Sequence, residues 1–425
     1  MATRRPPKAP ISTKAAPEPA APGAVVGVRR LFTPASRNYF LLLGTTLFLV
    51  GFGLVMVLSS SSIESHVQQN GFFGGFLKQG LYALFGLPLM LIAASMRPQF
   101  WRRMAGPAML LAVVLQLLVF TPLGFDYGGN RNWISFGPGL NGQPSEFVKI
   151  ALIVWIAYLL SRPGDLADWR RYLIPVGIAS GVAISLVLLG KDLGTVVIMV
   201  LIVFGCLYFA GISLRYLLTG GVAVALLGIV VAMGTSSRTQ RISVWLNGCT
   251  EADYLESCWQ QMHGTWALAA GGILGVGPGN SKAKWSWLPE ADNDYIFAII
   301  GEELGLIGAV VVLVLFFVLA VAFIRIIRAN PDPFARVVTS GVMVWIIGQA
   351  VVNIAVVLGL LPVLGVPLPL ISAGGSALIS SMLAIGVVLS FARTRPERAV
   401  VEAELSPAER SRRAAMERIE RSHPR

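Results

Sequence analysis

Apolar positions along this chain come in long unbroken blocks. They neither alternate, as on a half-buried strand, nor recur every three to four residues, as on a surface helix. A bilayer's hydrocarbon core is about 30 Å thick and takes roughly 20 apolar helical residues to cross. Blocks of that length fall at 39–60, 76–96, 105–123, 145–161, 172–190, 193–211, 214–234, 297–324, 336–360 and 375–392. They predict an all-α, polytopic membrane protein of about ten transmembrane helices within 39–393. The preceding 1–38 is rich in Pro and Ala and lacks the early apolar core of a signal peptide, so it reads as a disordered tail. The closing 394–425 is a charged tail to which no chemistry is assigned.

Composition agrees with a lipid solvent. Hydrophobic residues make up 55% of the chain and charged ones 13%, with mean hydropathy +0.70, whereas soluble domains carry about 25% charged residues. The net charge of +12 would suit a nucleic-acid partner, but its distribution argues otherwise. An even number of spans puts both tails on one side, and 26 of the 34 Lys and Arg residues fall there, in the tails and in loops such as those holding Arg97, Arg162 and Arg336. The positive-inside rule makes that side, and both termini, cytoplasmic. The basicity is a topology signal, and no nucleic acid is expected.

Two segments on the other side are too long and polar to be turns: Gly124 to Pro144, and the extracytoplasmic loop 235–295 between helices 7 and 8. Their tryptophans (Trp133, Trp245, Trp259, Trp266, Trp285, Trp287) give the composition of segments lying in the headgroup layer, which suits an amphiphilic substrate. Cys249 and Cys258 share the large loop, where an oxidising compartment would let them form a disulfide; two free thiols are the alternative. Cys206, inside a span, reads as a packing residue.

No HExxH, zinc-type Cys/His spacing, GxSxG or Walker A sequence is present. The glycines of 271–281 read as a flexible or closely packed turn. His66, His263 and His423 lack a partner at useful spacing. Ionisable residues instead crowd the outer rim. Glu146 and Lys149 share one face of the first turn of span four, either as an ion pair snorkelling to the interface or as substrate ligands. Lys191 and Asp192 form a short turn that is either merely polar or part of a site. Glu290, Asp292 and Asp294 precede span eight, where acids would complement a helix dipole, the reading preferred for Asp292. Glu302 and Glu303 fall inside an apolar run and must face protein, water or a cation.

A glycosidase generally needs two opposed carboxylates. Transfer from a lipid diphosphate needs less: one base for the acceptor hydroxyl and positive charge for the departing diphosphate. One external Asp with Arg131, Lys149, Lys191, Lys282 and Lys284 would supply both. No cofactor is required by the sequence, although a divalent cation, Mg²⁺ or Mn²⁺, could share the second task. A transporter or flippase is the rival class, since ten spans with Gly- and Pro-broken segments suit it.

Four stretches, GGNRNWISFGPGLNGQPSEFVK, KDLGTVV, GGILGVGPGNSKAKWSWLPEADNDYIFAIIGEELG and VVNIAVVLGLLPVLGVPLPLISAGGSA, together resemble in order and topology the SEDS family of bacterial cell-wall proteins, over essentially all of 39–393. The resemblance implies an inverting peptidoglycan glycosyltransferase of the bacterial cytoplasmic membrane. Such an enzyme polymerises lipid II into a nascent glycan strand on the outer face, releases undecaprenyl diphosphate, and works with a class B penicillin-binding protein. The cell-division branch, acting at the septum with other divisome proteins, is matched best; the elongation branch is the alternative. The family's catalytic aspartate corresponds to Asp294. Its substrate-binding motifs fall on Arg131, Trp133, Glu146, Lys149, Lys191, Asp192, Ser372, Gly374, Gly375 and Ser376. The chain departs from the family pattern at Gly190 and Lys191, usually Gln-Pro or Glu-Pro, at Asn293, commonly Thr, and at Ala373, commonly Tyr.

Overall fold

The computed structural model describes residues 36–393 except 68–70, 136, 138–140, 165–168, 235, 251–253, 255–257 and 286. The expected tails, 1–38 and 394–425, lie outside the described residues apart from 36–38. Each expected span is a helix: α1 (Arg37–Val67), α2 (Gly74–Ser95), α3 (Pro98–Leu118), α4 (Pro144–Leu160), α5 (Trp169–Leu189), α6 (Leu193–Ala210), α7 (Leu214–Met233), α10 (Ile296–Ala329), α11 (Pro333–Val357) and α12 (Gly375–Arg393). Two shorter helices, α8 (Ser236–Asn247) and α9 (Trp259–Gly271), occupy the large loop. Among the described residues, eight helices are long and apolar enough to cross a membrane. The two expected spans outside that group are α3, with Arg102 and Arg103 in its first two turns, and α4, only 17 residues long.

Local chemistry sets the boundaries. Pro98, Pro144 and Pro333 open α3, α4 and α11 at first-turn positions, where a missing N–H is harmless. Asp192 caps α6 by accepting from Thr195 N at 2.9 Å, and Asp332 caps α11 by accepting from Phe334 N at 3.1 Å. Helices α11 and α12 form the centre, with Trp345, Ile346, Met382 and Ile385 fully enclosed. Along α7, by contrast, Leu218, Val222, Leu226 and Val230 are exposed. A helix as apolar as lipid loses nothing by facing it.

The chain alternates direction, so both limits of the bundle meet at one end. There Ser36 Oγ donates to Ala392 O at 2.9 Å, and Arg102 pairs with Asp332. The segment between α3 and α4 forms a three-stranded antiparallel sheet at the opposite end: β1 (Gly124–Tyr127), β2 (Asn130–Ser135) and β3 (Asn141–Gly142), in that order. Gly124 pairs with Ile134, and Ile134 with Gly142.

The glycine segment after α9 is closely packed rather than loose. Helix α10 is broken at Gly305 (φ 67°, ψ −165°), a left-handed conformation that disfavours side chains. The break frees backbone groups, which the glycine segment satisfies. Val276 N and Gly277 N donate to Glu302 O and Glu303 O at 2.9 and 3.0 Å, while Leu306 N and Ile307 N donate to Gly272 O and Ile273 O. A Cβ on Gly305 would stand 2.4 Å from Gly275 N, so the two backbones can meet only without one.

Candidate functional site

Asp294 lies two residues before α10, at the end of the bundle opposite the chain's limits. Its loop is held from two sides. From the sheet, Tyr127 Oη donates to Glu290 Oε1 at 3.1 Å, and Glu290, itself left-handed at φ 55°, accepts from Asn293 Nδ2 at 3.2 Å. From the segment between α11 and α12, Ser372 Oγ donates to Asn293 O and Ala373 N to Asp292 O, at 2.7 and 2.8 Å. Asn353 of α11 joins the two, with Nδ2 2.7 Å from both Asp294 O and Val366 O.

This clasp fixes the backbone of Asp294 while its carboxyl faces Gly365. That glycine is left-handed (φ 66°), and a Cβ on it would stand 3.4 Å from Asp294 Oδ2. Burial pushes the Asp294 carboxyl up to about 7, with the negative charges of Glu290, Asp192 and Asp292 adding to the rise and Arg241 opposing it. A carboxylate so raised is a base matched to neutral pH. Burial and the Asp294 charge also raise the neighbouring Tyr295 hydroxyl, which stays neutral.

Beside the loop, Asp192 is buried and fully engaged. It accepts from Thr195 Oγ1 at 2.7 Å and Gln143 Nε2 at 2.8 Å, as well as from Thr195 N. Glu146 and Lys149 do pair, at 2.8 Å, but they do not snorkel: both are buried. Ser380 Oγ donates to Glu146 Oε2 at 3.0 Å, Lys149 Nζ donates to Gln349 Oε1 at 3.2 Å, and Lys149 lies 4.4 Å from the Trp345 ring centre. Gln143, Glu146, Lys149, Thr195, Gln349 and Gly365 share a cavity of about 30 Å³, room for water between the pair and the Asp294 side of the site.

The expected cations are distributed unevenly. Lys191 is exposed at a left-handed turn (φ 65°), and its carbonyl accepts from Arg238 at 2.7 Å. Arg131 directs its guanidinium at Val119 O and Thr121 O, at 3.2 and 3.3 Å, closing the carbonyl end of α3. Lys284 is buried against Glu303 at 3.2 Å and donates to Gly279 O at 2.7 Å, so it is an anchor of the large loop. Lys282 is exposed. Glu302 accepts from Ser281 Oγ and from Lys282 N, and Glu303 accepts from Ser59 Oγ at 2.7 Å; both acids face protein.

Trp133 is half-buried in β2, with its ring centre 5.9 Å from that of Tyr127. Ser376 Oγ accepts from Gln143 N at 3.1 Å. Gly375 packs where a Cβ would strike the Tyr82 ring, and Gly374 precedes it at the start of α12. Cys249 and Cys258 form a disulfide, with Cα atoms 6.0 Å apart. Gln349, Asn353, Ser380 and Arg241 complete the site without having been expected. Gln349 and Asn353, one turn apart within an apolar helix, are the signal that could have revealed two of them. Among the described residues no three His, Cys, Asp or Glu side chains converge as a metal site.

A helical membrane bundle with one near-neutral carboxyl at a rim, a buried ion pair beneath it and exposed cations beside it defines a multi-pass membrane protein with an ionisable site at one end. The family model described as cell cycle protein, FtsW/RodA/SpoVE, matches residues 40–397, and the chain belongs to that family. It is 40% identical over 362 residues to the probable peptidoglycan glycosyltransferase FtsW of Mycobacterium tuberculosis, covering 85% of this chain and 68% of that one. It is 35% identical to stage V sporulation protein E of Bacillus subtilis, covering 83% and 96%. Among solved structures, a chain of a peptidoglycan synthase complex described as coordinating polymerization and crosslinking superposes with TM-score 0.69 at 26% identity, covering 84% and 98%. The rod shape determining protein RodA of Thermus thermophilus shares the fold, with TM-score 0.64 at 24% identity, covering 86% and 99%.

Proposed function

We propose that this protein is a peptidoglycan glycosyltransferase of the cell-division type, polymerising lipid II at the outer face of the bacterial cytoplasmic membrane. The observation that carries the reading is Asp294: one carboxyl raised to about 7, clasped at the rim where an amphiphile's sugars would stand. In its ionised form Asp294 takes the proton from the 4-hydroxyl of the acceptor sugar. The freed oxygen attacks the anomeric carbon of the donor glycan with inversion, and the bond to undecaprenyl diphosphate breaks. Lys191 and Arg241, both exposed, receive the diphosphate charge. The Glu146–Lys149 pair and Asp192 hold the floor of the site, and Ser372 to Ser376 hold the loop that carries Asp294.

The tails lie in the cytoplasm, as the Lys and Arg distribution supports. The partners are a class B penicillin-binding protein, as the resemblance to a synthase complex supports, and the division machinery at the septum. Purified protein in detergent, given lipid II and no gradient, forms glycan chains, and Asp294→Asn abolishes them. Chain formation by the Asn variant, or none by the native protein with its partner present, would reject the reading in favour of transport or scaffolding.

A further inference from the structure

At the end of the bundle remote from Asp294, a second cavity of about 340 Å³ opens between the last turn of α4, the end of α6 and the start of α11. Its size falls within the range of small-ligand pockets. The walls are of two kinds. Leu160, Phe209, Ala210 and Val337 present apolar surface on the side toward the bundle, while Arg162 and Arg336 stand at the mouth. Arg162 lies 4.6 Å above the Tyr158 ring, which holds its guanidinium at the rim rather than letting it range through solvent. Gly164, also in the lining, leaves space that a Cβ would take from Tyr172 Oη and from Arg171 Nη1, the latter 3.0 Å from where it would stand.

The three ion pairs among the described residues involve neither Arg162 nor Arg336. Asp332, one turn before Arg336, is already occupied by Arg102. The described ion pairs therefore leave the guanidinium groups of Arg162 and Arg336 available at the mouth. Helices α6 and α11 are long and apolar enough to cross the membrane, so their ends, and this mouth with them, stand at headgroup depth.

We propose that this cavity binds the phosphodiester of an anionic phospholipid, seated between Arg162 and Arg336, with the first methylenes of its acyl chains along Leu160, Phe209 and Val337. A guanidinium pair matches a phosphate's oxygens, and an apolar wall directly beneath them matches a lipid better than a free anion. The site is separate from the transferase centre, and the proposal does not depend on that activity.

Native mass spectrometry of the full chain in detergent tests it, with phosphatidylglycerol, phosphatidylcholine and inorganic phosphate as probes. The native protein retains phosphatidylglycerol over phosphatidylcholine, and millimolar inorganic phosphate does not displace it. A basic residue at an anionic surface contributes about 1 kcal/mol, so Arg162→Gln with Arg336→Gln weakens phosphatidylglycerol retention by about thirtyfold. Arg336→Gln alone, at an exposed helix position, weakens it by about fivefold and serves if the double variant fails to fold. Arg97→Gln, at the same end but outside the cavity, changes nothing. Equal retention of both lipids, undiminished retention by the Arg variants, an equal loss in Arg97→Gln, or displacement by inorganic phosphate would each overturn the proposal.

Discussion

Replacing Asp294 by Asn should remove activity and strengthen the fold, and the two effects carry different pH signatures. The carboxyl rises from its ordinary 3.8 to about 7 because burial and three neighbouring acids oppose its charge. Three units at 1.36 kcal/mol each set an upper bound of about 4 kcal/mol on what the folded protein loses by holding that carboxylate ionised. Asp294 keeps partial contact with water, so screening brings the expected gain to about 1–3 kcal/mol. For a group whose folded value is raised, the stability it permits is complete below about pH 4 and is lost as pH climbs through about 7. Native protein and Asn variant should therefore melt alike near pH 4, and the variant should melt later by a margin that grows up to about pH 7 and then levels off. Loss of a general base lowers the polymerisation rate by roughly 10²–10⁴-fold. Thermal unfolding in detergent at stepped pH, paired with lipid II polymerisation, reads both. A variant no more stable than native at pH 8, or one equally displaced at every pH, would refute the claim that Asp294 is a strained, near-neutral carboxyl.

Other perturbations separate anchoring from chemistry. Gly365→Ala places a methyl 3.4 Å from Asp294 Oδ2 in a left-handed backbone. It should cost about 1 kcal/mol of stability and, by further desolvating the carboxyl, move the acid limb of the rate profile upward in pH. Lys149→Met leaves Glu146 buried without its partner and should destabilise by about 3–5 kcal/mol in chemical unfolding, while Glu146→Gln with Lys149→Met recovers most of the loss. Polymerisation by that double variant would show the pair to be structural, and its absence in a stable protein would assign Lys149 to substrate. Cys258→Ser opens a ring with sequence separation 9. It should lower stability by about 2–3 kcal/mol, with faster hydrogen exchange in α8 and α9 and little change deep in α11 and α12.

The bundle was legible in the chain because lipid imposes one requirement on every crossing segment, an apolar run of fixed length with its backbone satisfied internally. That requirement is local, so the ten runs and the even placement of the termini follow from reading along the sequence. The outer rim could also be located, since charges near a bilayer are rare enough to stand out one by one. Which charge serves which purpose was decided by contacts between residues far apart in the chain. Lys284 and Lys191 look equivalent in sequence, yet one is consumed by Glu303 and the other faces water. Arg131 closes a helix end that begins and finishes before it, and Glu302 and Glu303 secure a loop some twenty residues upstream. The raised carboxyl of Asp294 depends on acids from two separate segments and on an asparagine of α11 that holds its backbone. Local pattern governs where a chain can cross a membrane, because each helix satisfies its own backbone. Burial and charge at a site are sums over neighbours, and only the folded chain determines who those neighbours are.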